Sequence, residues 1–425
     1  MLTVVLILFL VMLLGGVPIA FAMGSASALG MAFASDLPLS LIAQRMFEGV
    51  NSFTLLAIPF FMLAGTLMES GGISRRLVNF SYAIVGYIKG GLGITSVMTS
   101  TIFAGISGSA AADTAAVGSV MIPAMKEKRY PAGLAAVLQA CAGSLGPIIP
   151  PSMVMILYGS ITGISIGSLF LAGTIPGLLM ALGMMALTYY YGHKYNLKEE
   201  GRPQLSVIWK ETKEAFWALL LPVIILGGIM TGFFTATEAG VIAVLYAFVI
   251  GFFVYREFSW KDIPRILQEA AANTSMALLI VSGAAIMGWI IAYGKLPQTI
   301  IGALTSITDN PIIIIFLIML FIVFLGMFIE TIAATIMVSP ILIPIIQQFN
   351  YDPVHFGFIV VACFVFAGVT PPVCGVLYIT MGIAKCQLKD TLRYLLPYWF
   401  VLILVCVLVV FVPQLATWIP NMVFE

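Results

Sequence analysis

Gly143-Ser144-Leu145-Gly146-Pro147-Ile148-Ile149-Pro150-Pro151-Ser152 is an apolar stretch interrupted by glycine and proline, and Gly368-Val369-Thr370-Pro371-Pro372 answers it in the second half of the chain. The two proline pairs share one separation with other landmarks: 344 − 123 = 371 − 150 = 397 − 176 = 221, joining Pro123 to Pro344 and Pro176 to Pro397. Gly105/Gly326, Thr114/Thr335 and Tyr130/Tyr351 fall on the same offset. Upstream the offset drifts, to 212 for Leu14-Gly15-Gly16 against Leu226-Gly227-Gly228 and to 223 for Gly65/Gly288 and Gly71/Gly294. A duplicated, apolar chain broken at matching places is the pattern of a secondary transporter, with its sites at the breaks.

Composition sets the class. Of 425 residues, 61% are hydrophobic and 9% charged, with mean hydropathy +1.11. Such a chain is an all-α polytopic membrane protein embedded in a lipid bilayer. A net charge of +1 gives no signal for nucleic acid. The first residues, 1–14, lack a basic leader and read as a first span rather than a signal peptide. Five cysteines (Cys141, Cys363, Cys374, Cys386 and Cys406) lie mostly in apolar runs without C-x-x-C spacing, and read as inert buried thiols.

Apolar runs predict spans near 2–17, 18–34, 52–70, 168–192, 216–233, 236–255, 271–292 and 394–412. Residues 92–125 are too few for two full crossings, break near Gly105–Ser109, and have basic residues on both flanks (Lys89; Lys126, Lys128, Arg129). They read as a re-entrant hairpin entering from the cytoplasm. Its mate, 311–346, breaks near Gly326, lacks basic flanks and is expected to enter from outside. Segments 130–165 and 351–386 read as single crossings broken around 143–152 and 368–375. The domain reading is a first repeat, 1–205, and a second, 206–425, each with an odd number of crossings and therefore of inverted topology. Both termini are then periplasmic, and every Lys and Arg except Arg45 and Lys295 is cytoplasmic. Stretches 38–48, 73–89 and 296–308 read as interfacial helices or arms, and 193–214 as the link between halves.

Backbone that leaves the helix inside a bilayer is tolerated where it lines a cavity or holds an ion. Proline also frees a carbonyl one turn earlier, an acceptor suited to a hard cation. Two oxygen-rich sodium sites are expected. The first uses Ser107, Gly108, Ser109, Gly143, Ser144 and Pro147; the second uses Gly326, Glu330, Thr331, Gly368 and Thr370. Isolated glycines would serve close helix packing alone; duplicated breaks with prolines favour sites. Asp113, Ser152, Pro150 and Pro371 are expected to contact substrate or orient the sites. For Asp113, cation ligation and a structural hydrogen bond to nearby backbone both stand. Glu330 does not repeat Asp113, since 330 − 221 = 109, which is a serine. Glu238 reads as a helix N-terminal carboxylate and Glu69 as interfacial. Half-helices starting after Ser109 and Ser152 point N-termini at the breaks, which suits an anion, and no arginine lies inside a span.

At these motifs (Gly105-Ile-Ser-Gly-Ser-Ala-Ala-Ala-Asp-Thr114, the 143–152 stretch and Gly368-Val-Thr-Pro-Pro372) the chain resembles the large membrane subunit, DctM-like, of tripartite ATP-independent periplasmic (TRAP) transporters. The resemblance covers essentially the whole chain. It implies an elevator-type, sodium-coupled importer of organic acids such as sialic acids or C4-dicarboxylates in the bacterial inner membrane. It implies a transport domain made of both hairpins and broken spans, and a scaffold made of the rest. The implied partners are a separate small four-helix membrane subunit and a soluble periplasmic substrate-binding protein; a stand-alone sodium–carboxylate symporter is the alternative. Na+ is the coupling ion, and no cofactor is expected. A channel lacks its repeated filter here, a hydrolase lacks a nucleophile–base pair within the membrane, and a primary pump lacks a G-x-x-x-x-G-K-[ST] loop.

Overall fold

The computed structural model describes residues 1–197, 204–373 and 375–424. Residues 198–203 of the link between halves, and Cys374, lie outside the described residues. Twenty α-helices and no strand occur among the described residues.

The chain opens with α1 (Leu2–Leu14) and α2 (Ile19–Ala34), separated by Gly15-Gly16-Val17-Pro18 with Gly16 at φ +80°. Then come α3 (Ser40–Val50), α4 (Ala57–Ser70) and α5 (Ile73–Val85). The first interrupted pair is α6 (Gly91–Ser107) with α7 (Ala110–Glu127), and the second is α8 (Ala132–Gly143) with α9 (Met153–Thr162). Helix α10 (Ile166–Lys194) closes the first half. The second half runs α11 (Leu205–Met230), α12 (Ala236–Val249, extended by a wider turn to Val254), α13 (Ile263–Tyr293) and α14 (Leu296–Ile307). It continues through α15 (Pro311–Gly326), α16 (Thr331–Gln348), α17 (Pro353–Gly368), α18 (Gly375–Ala384), α19 (Leu388–Phe411) and α20 (Gln414–Phe424).

Helix boundaries carry the repeat. Helix α3 starts and α4 ends 223 residues before α13 starts and ends (263 − 40 = 293 − 70), and α5 precedes α14 by the same 223 (296 − 73). Where α13 is one continuous rod, α3 and α4 are bent by 63° at Asn51–Phe53. Six helices are long and apolar enough to cross a bilayer, or seven if that bent pair is counted as one.

Several boundaries differ from the apolar runs. Helices α1 and α2, expected as spans, have 13 and 16 residues, about 20 and 24 Å against a hydrocarbon core of about 30 Å. The glycine pair ends α1 at Leu14, short of the expected 17, while α2 fills its expected run after Pro18. Helices α11, α13 and α19 begin at 205, 263 and 388, earlier than expected, because polar first turns continue the helix beyond the apolar stretch. The polar turn of α11 is held by Lys210 Nζ to Glu214 at 3.8 Å. Helix α20 was not expected; it lies against α10, with the Phe424 ring beside Gly167. Helix α16, expected as half a hairpin, meets the length and hydropathy of a span by itself. The three expected arms are the helices α3, α5 and α14.

The halves interlock through the interrupted helices. Helix α18 packs on α7 and α8, while α9 packs on α16. Lys126 Nζ, in the last turn of α7, donates to the Ala384 carbonyl at 2.6 Å and so caps the end of α18. Helix α13 packs against α2, α3 and α4 on one side and α16 on the other. The cysteines Cys141, Cys363, Cys386 and Cys406 are free thiols.

Candidate functional site

The α6–α7 tip is built by three residues. Helix α6 ends on Gly108 in the left-handed region, φ +63°, where a side chain would be strained. A Cβ at that position would also run into the Pro151 carbonyl. Ser109 then caps α7, its Oγ accepting from Ala112 N at 3.4 Å. Ser107 Oγ accepts from Ser109 N at 3.2 Å and donates to Asp113 Oδ1.

The α8–α9 break lies directly against this tip. Met153 N donates to the Gly108 carbonyl at 3.4 Å, and Ser152 caps α9 by accepting from Met155 N at 3.2 Å. Asp113 and Thr114 are fully buried, and neither Asp113 Oδ2 nor Thr114 Oγ1 has a hydrogen-bond partner among the described residues. Both face the broken backbone. A Cβ on Gly146 would sit 2.6 Å from Asp113 Oδ2, and one on Gly143 would run into Thr114 Oγ1. A buried carboxylate oxygen and a hydroxyl, both unpaired among the described residues, are the kinds of group that could hold a small hard cation.

The second pair repeats the arrangement with different chemistry. Glu330 caps α16, its Oε2 accepting from Ile332 N at 2.9 Å and Ala333 N at 3.3 Å. Val373 N donates to the Met327 carbonyl at 3.2 Å, which ties the α17–α18 break to the α15–α16 tip. Gly326 lets α15 lie against Ala367 of α17, and Gly368 sits beside the Thr331 hydroxyl. Both Pro150-Pro151 and Pro371-Pro372 have cis peptide bonds.

All four breaks line one cavity of about 260 Å³: Gly108 and Ser109, Pro147, Gly326 and Glu330, and Gly368 with Val373. Of the residues expected for the two sodium sites, Gly108, Ser109, Pro147, Gly326, Glu330, Thr331 and Gly368 line this cavity, and Ser107, Gly143, Ser144 and Thr370 do not. Three hydroxyls point elsewhere: Ser144 Oγ donates to the Cys141 carbonyl at 2.7 Å, Thr370 Oγ1 to the Phe366 carbonyl at 2.7 Å, and Ser152 Oγ to the Pro147 carbonyl. Pro150 is buried beside Gly105, whereas Pro371 is half-buried. A second cavity, about 480 Å³, adjoins the first through Ser109 and Glu330 and extends between α4 and α13, where Glu69 and Asn273 line it.

A family model described as the DctM component of the tripartite ATP-independent periplasmic transporter matches residues 6–415. The chain belongs to that family. It is 37% identical over 413 residues to the 2,3-diketo-L-gulonate TRAP transporter large permease YiaN of Escherichia coli, covering 96% of this chain and 97% of that one. It is 36% identical over 441 residues to the C4-dicarboxylate TRAP transporter large permease DctM of Vibrio cholerae, covering 98% and 96%. Among solved structures, the YdaH transporter of Alcanivorax borkumensis shares the fold, with TM-score 0.61 at 14% identity over 90% of this chain and 88% of that one. This DctM-family chain is thus a multi-pass membrane transporter subunit and not an enzyme.

Sequence reading placed Thr114 in the repeat and not in the site. The two threonines of that pair are alike in sequence, and only the structure separates them: the Thr335 hydroxyl donates to the Thr331 carbonyl at 2.7 Å, whereas that of Thr114 has no partner among the described residues. Glu69, read as interfacial, lines the larger cavity, because the bend between α3 and α4 and the placement of α13 bring it there. No pattern along the chain marks Asn273.

Proposed function

We propose that this chain is the large membrane subunit of a sodium-coupled importer of an organic acid in a bacterial inner membrane. In this reading it works with a small four-helix membrane subunit and a periplasmic binding protein that delivers the substrate. The observation that carries the reading is the cavity shared by the four breaks, with the unpaired Asp113 Oδ2 and Thr114 Oγ1 buried behind its wall. Sodium held there by carboxylate, hydroxyl and carbonyl oxygens would replace the water that a bilayer interior cannot supply. Its positive charge, together with the N-termini of α7 and α9, favours a carboxylate in the adjoining cavity. The substrates for which the two relatives are named, a sugar acid and a C4-dicarboxylate, fit that class.

The moving unit in this reading is α6–α9 with α15–α18, and the remaining helices form the scaffold in an elevator cycle. Support comes from the packing of α18 on α7 and α8 and of α9 on α16, which joins interrupted helices of the two halves. A site built from both halves keeps its ligands only if they travel together. The repeat, with an odd number of crossings read in each half, and the opposite flanking charges support inverted topology and periplasmic termini.

The test is uptake of labelled substrate into proteoliposomes holding this chain and its small subunit, with the binding protein outside. An inward sodium gradient is expected to drive uptake that equal sodium on both sides does not. Accumulation that ignores the gradient overturns sodium coupling.

A further inference from the structure

Helices α10 and α19, both long and apolar enough to cross a bilayer, lie side by side and antiparallel. A Cβ on Gly183 would come within 2.6 Å of Val401 Cγ1, Thr188 Oγ1 and Tyr398 Oη share a hydrogen bond at 2.7 Å, and Tyr394 Oη donates to Tyr195 Oη at 3.1 Å. Tyrosines fill the polar end of this seam. The Tyr191 and Tyr394 ring centroids are 5.7 Å apart, and Tyr191 stacks on Tyr195. Two cations stand on these rings: the Arg393 guanidinium is 4.5 Å from the Tyr394 centroid, and Lys194 Nζ is 5.9 Å from the Tyr191 centroid. Neither cation forms an ion pair among the described residues. Asp390, one turn before Arg393, has its Oδ2 accepting from Gln387 N at 3.0 Å.

Both helices continue from these charges as exposed apolar faces. Stepping back by fours from Lys194, the exposed residues are Tyr190, Ala186, Leu182 and Leu178. On α19 the face of Lys389 and Arg393 continues as exposed Leu396, Phe400 and Leu404. We propose that this seam binds an anionic phospholipid, with the headgroup phosphate at Lys194 and Arg393 and the acyl chains along the two apolar faces. Aromatic rings hold the cations in place, so less side-chain freedom is lost when they meet a phosphate. A free phosphate would use the charges and leave the apolar faces unused. A zwitterionic lipid brings an ammonium that the same cations repel. The basic pair on α11 is different: Lys210 and Lys213 are interleaved with Glu211 and Glu214, and Lys210 Nζ lies 3.8 Å from Glu214. Positive charge at a helix end is therefore shared by both places, and only the α10–α19 seam leaves it unneutralised.

The chain, purified in detergent with its small subunit, is titrated with dioleoyl phosphatidylglycerol, dioleoyl phosphatidylcholine or inorganic phosphate, and the thermal midpoint is followed. Phosphatidylglycerol is expected to raise the midpoint with saturation, and the other two to leave it nearly unchanged. In Lys194→Gln with Arg393→Gln, the phosphatidylglycerol concentration for half the rise is expected to increase about tenfold or more. Both side chains are exposed, and an unaltered elution profile shows that the variant is folded. The charge-keeping swap, Lys194→Arg with Arg393→Lys, and the control Lys210→Gln with Lys213→Gln are expected to respond as the wild type does. An equal response to phosphatidylcholine overturns selectivity for an anionic lipid, and an equal response to inorganic phosphate makes the site one for a free anion. An unmoved titration in the folded Lys194→Gln, Arg393→Gln variant, or an equal loss in the α11 control, removes the site from this seam. A response shown by the chain alone and absent from the complex means that the small subunit covers this face, which also overturns the proposal.

Discussion

Ser109 and Glu330 stand 221 residues apart (330 − 109) and cap equivalent helices at the wall of one cavity, one with a hydroxyl and the other with a carboxylate. The fold is repeated, but the chemistry at its centre is not. The same asymmetry continues one turn on. Asp113 Oδ2 and Thr114 Oγ1 are unpaired behind the first tip, while the residues 221 further along are Ala334, which has no polar side chain, and Thr335, whose hydroxyl is bonded to backbone. Two similar halves thus produce one half with unpaired buried oxygens and one half with a carboxylate cap at the cavity wall.

Asp113→Asn retains the acceptor for Ser107 and removes the charge. The sodium concentration for half-maximal transport is expected to rise about tenfold or more, because a full negative charge is lost from a site where water cannot substitute. Ser107→Ala is expected to raise it less, and Thr370→Val, whose native hydroxyl is bonded to the Phe366 carbonyl, to leave it nearly unchanged. Sodium titration of uptake reads all three, and an unchanged midpoint in Asp113→Asn contradicts its place at the cation.

Gly108→Val places a β-branched residue at φ +63° and drives its Cβ into the Pro151 carbonyl. The strained backbone alone costs about 1–3 kcal/mol. A lower thermal midpoint and loss of uptake are expected. Gly163→Val is the control for strain without collision, since Gly163 has φ +75° and open space around it; it is expected to lower the midpoint less.

Helix α13 and helix α16 meet at Gly288 and Pro340, where a Cβ on Gly288 would lie 3.9 Å from the Pro340 Cβ. That is disulfide range. With the native cysteines replaced, Gly288→Cys with Pro340→Cys is expected to cross-link on oxidation and stop transport, with recovery on reduction. Transport that continues while cross-linked rules out sliding between α13 and α16.

Much of this arrangement was legible in the sequence. The breaks at Gly108–Ser109, 144–152 and 369–373 coincide with glycines and proline pairs that local chemistry marks, whereas 327–330 holds neither and is marked only by Gly326 before it and by the repeat. Three arms were legible because Arg45, Arg75 and Lys295 interrupt apolar runs. The bend between α3 and α4 was less so, since Asn51 and Ser52 are weak breakers and α13 passes the equivalent point unbroken. The pairing of Asp113 with Gly146 and of Glu69 with the larger cavity depends on helices distant in sequence, which periodicity does not encode. Helix α20 escaped because its apolar residues are spaced for one face only and never form a continuous run.

Topology has its own check. Single cysteines at Lys128 and Gln348, in a cysteine-free background, are expected to react with an impermeant reagent from opposite sides of the membrane. Reaction from one side contradicts the inversion of the halves.

The most direct measurement of the central claim, sodium-driven import fed by a delivered substrate, is uptake by proteoliposomes of this chain with its small subunit under an inward sodium gradient, with the periplasmic binding protein present or omitted. The account predicts accumulation only when the binding protein is outside, because a central site that is weak for dilute substrate needs a carrier to raise its local concentration. Equal accumulation without it would contradict the account and make the chain a stand-alone sodium–carboxylate symporter.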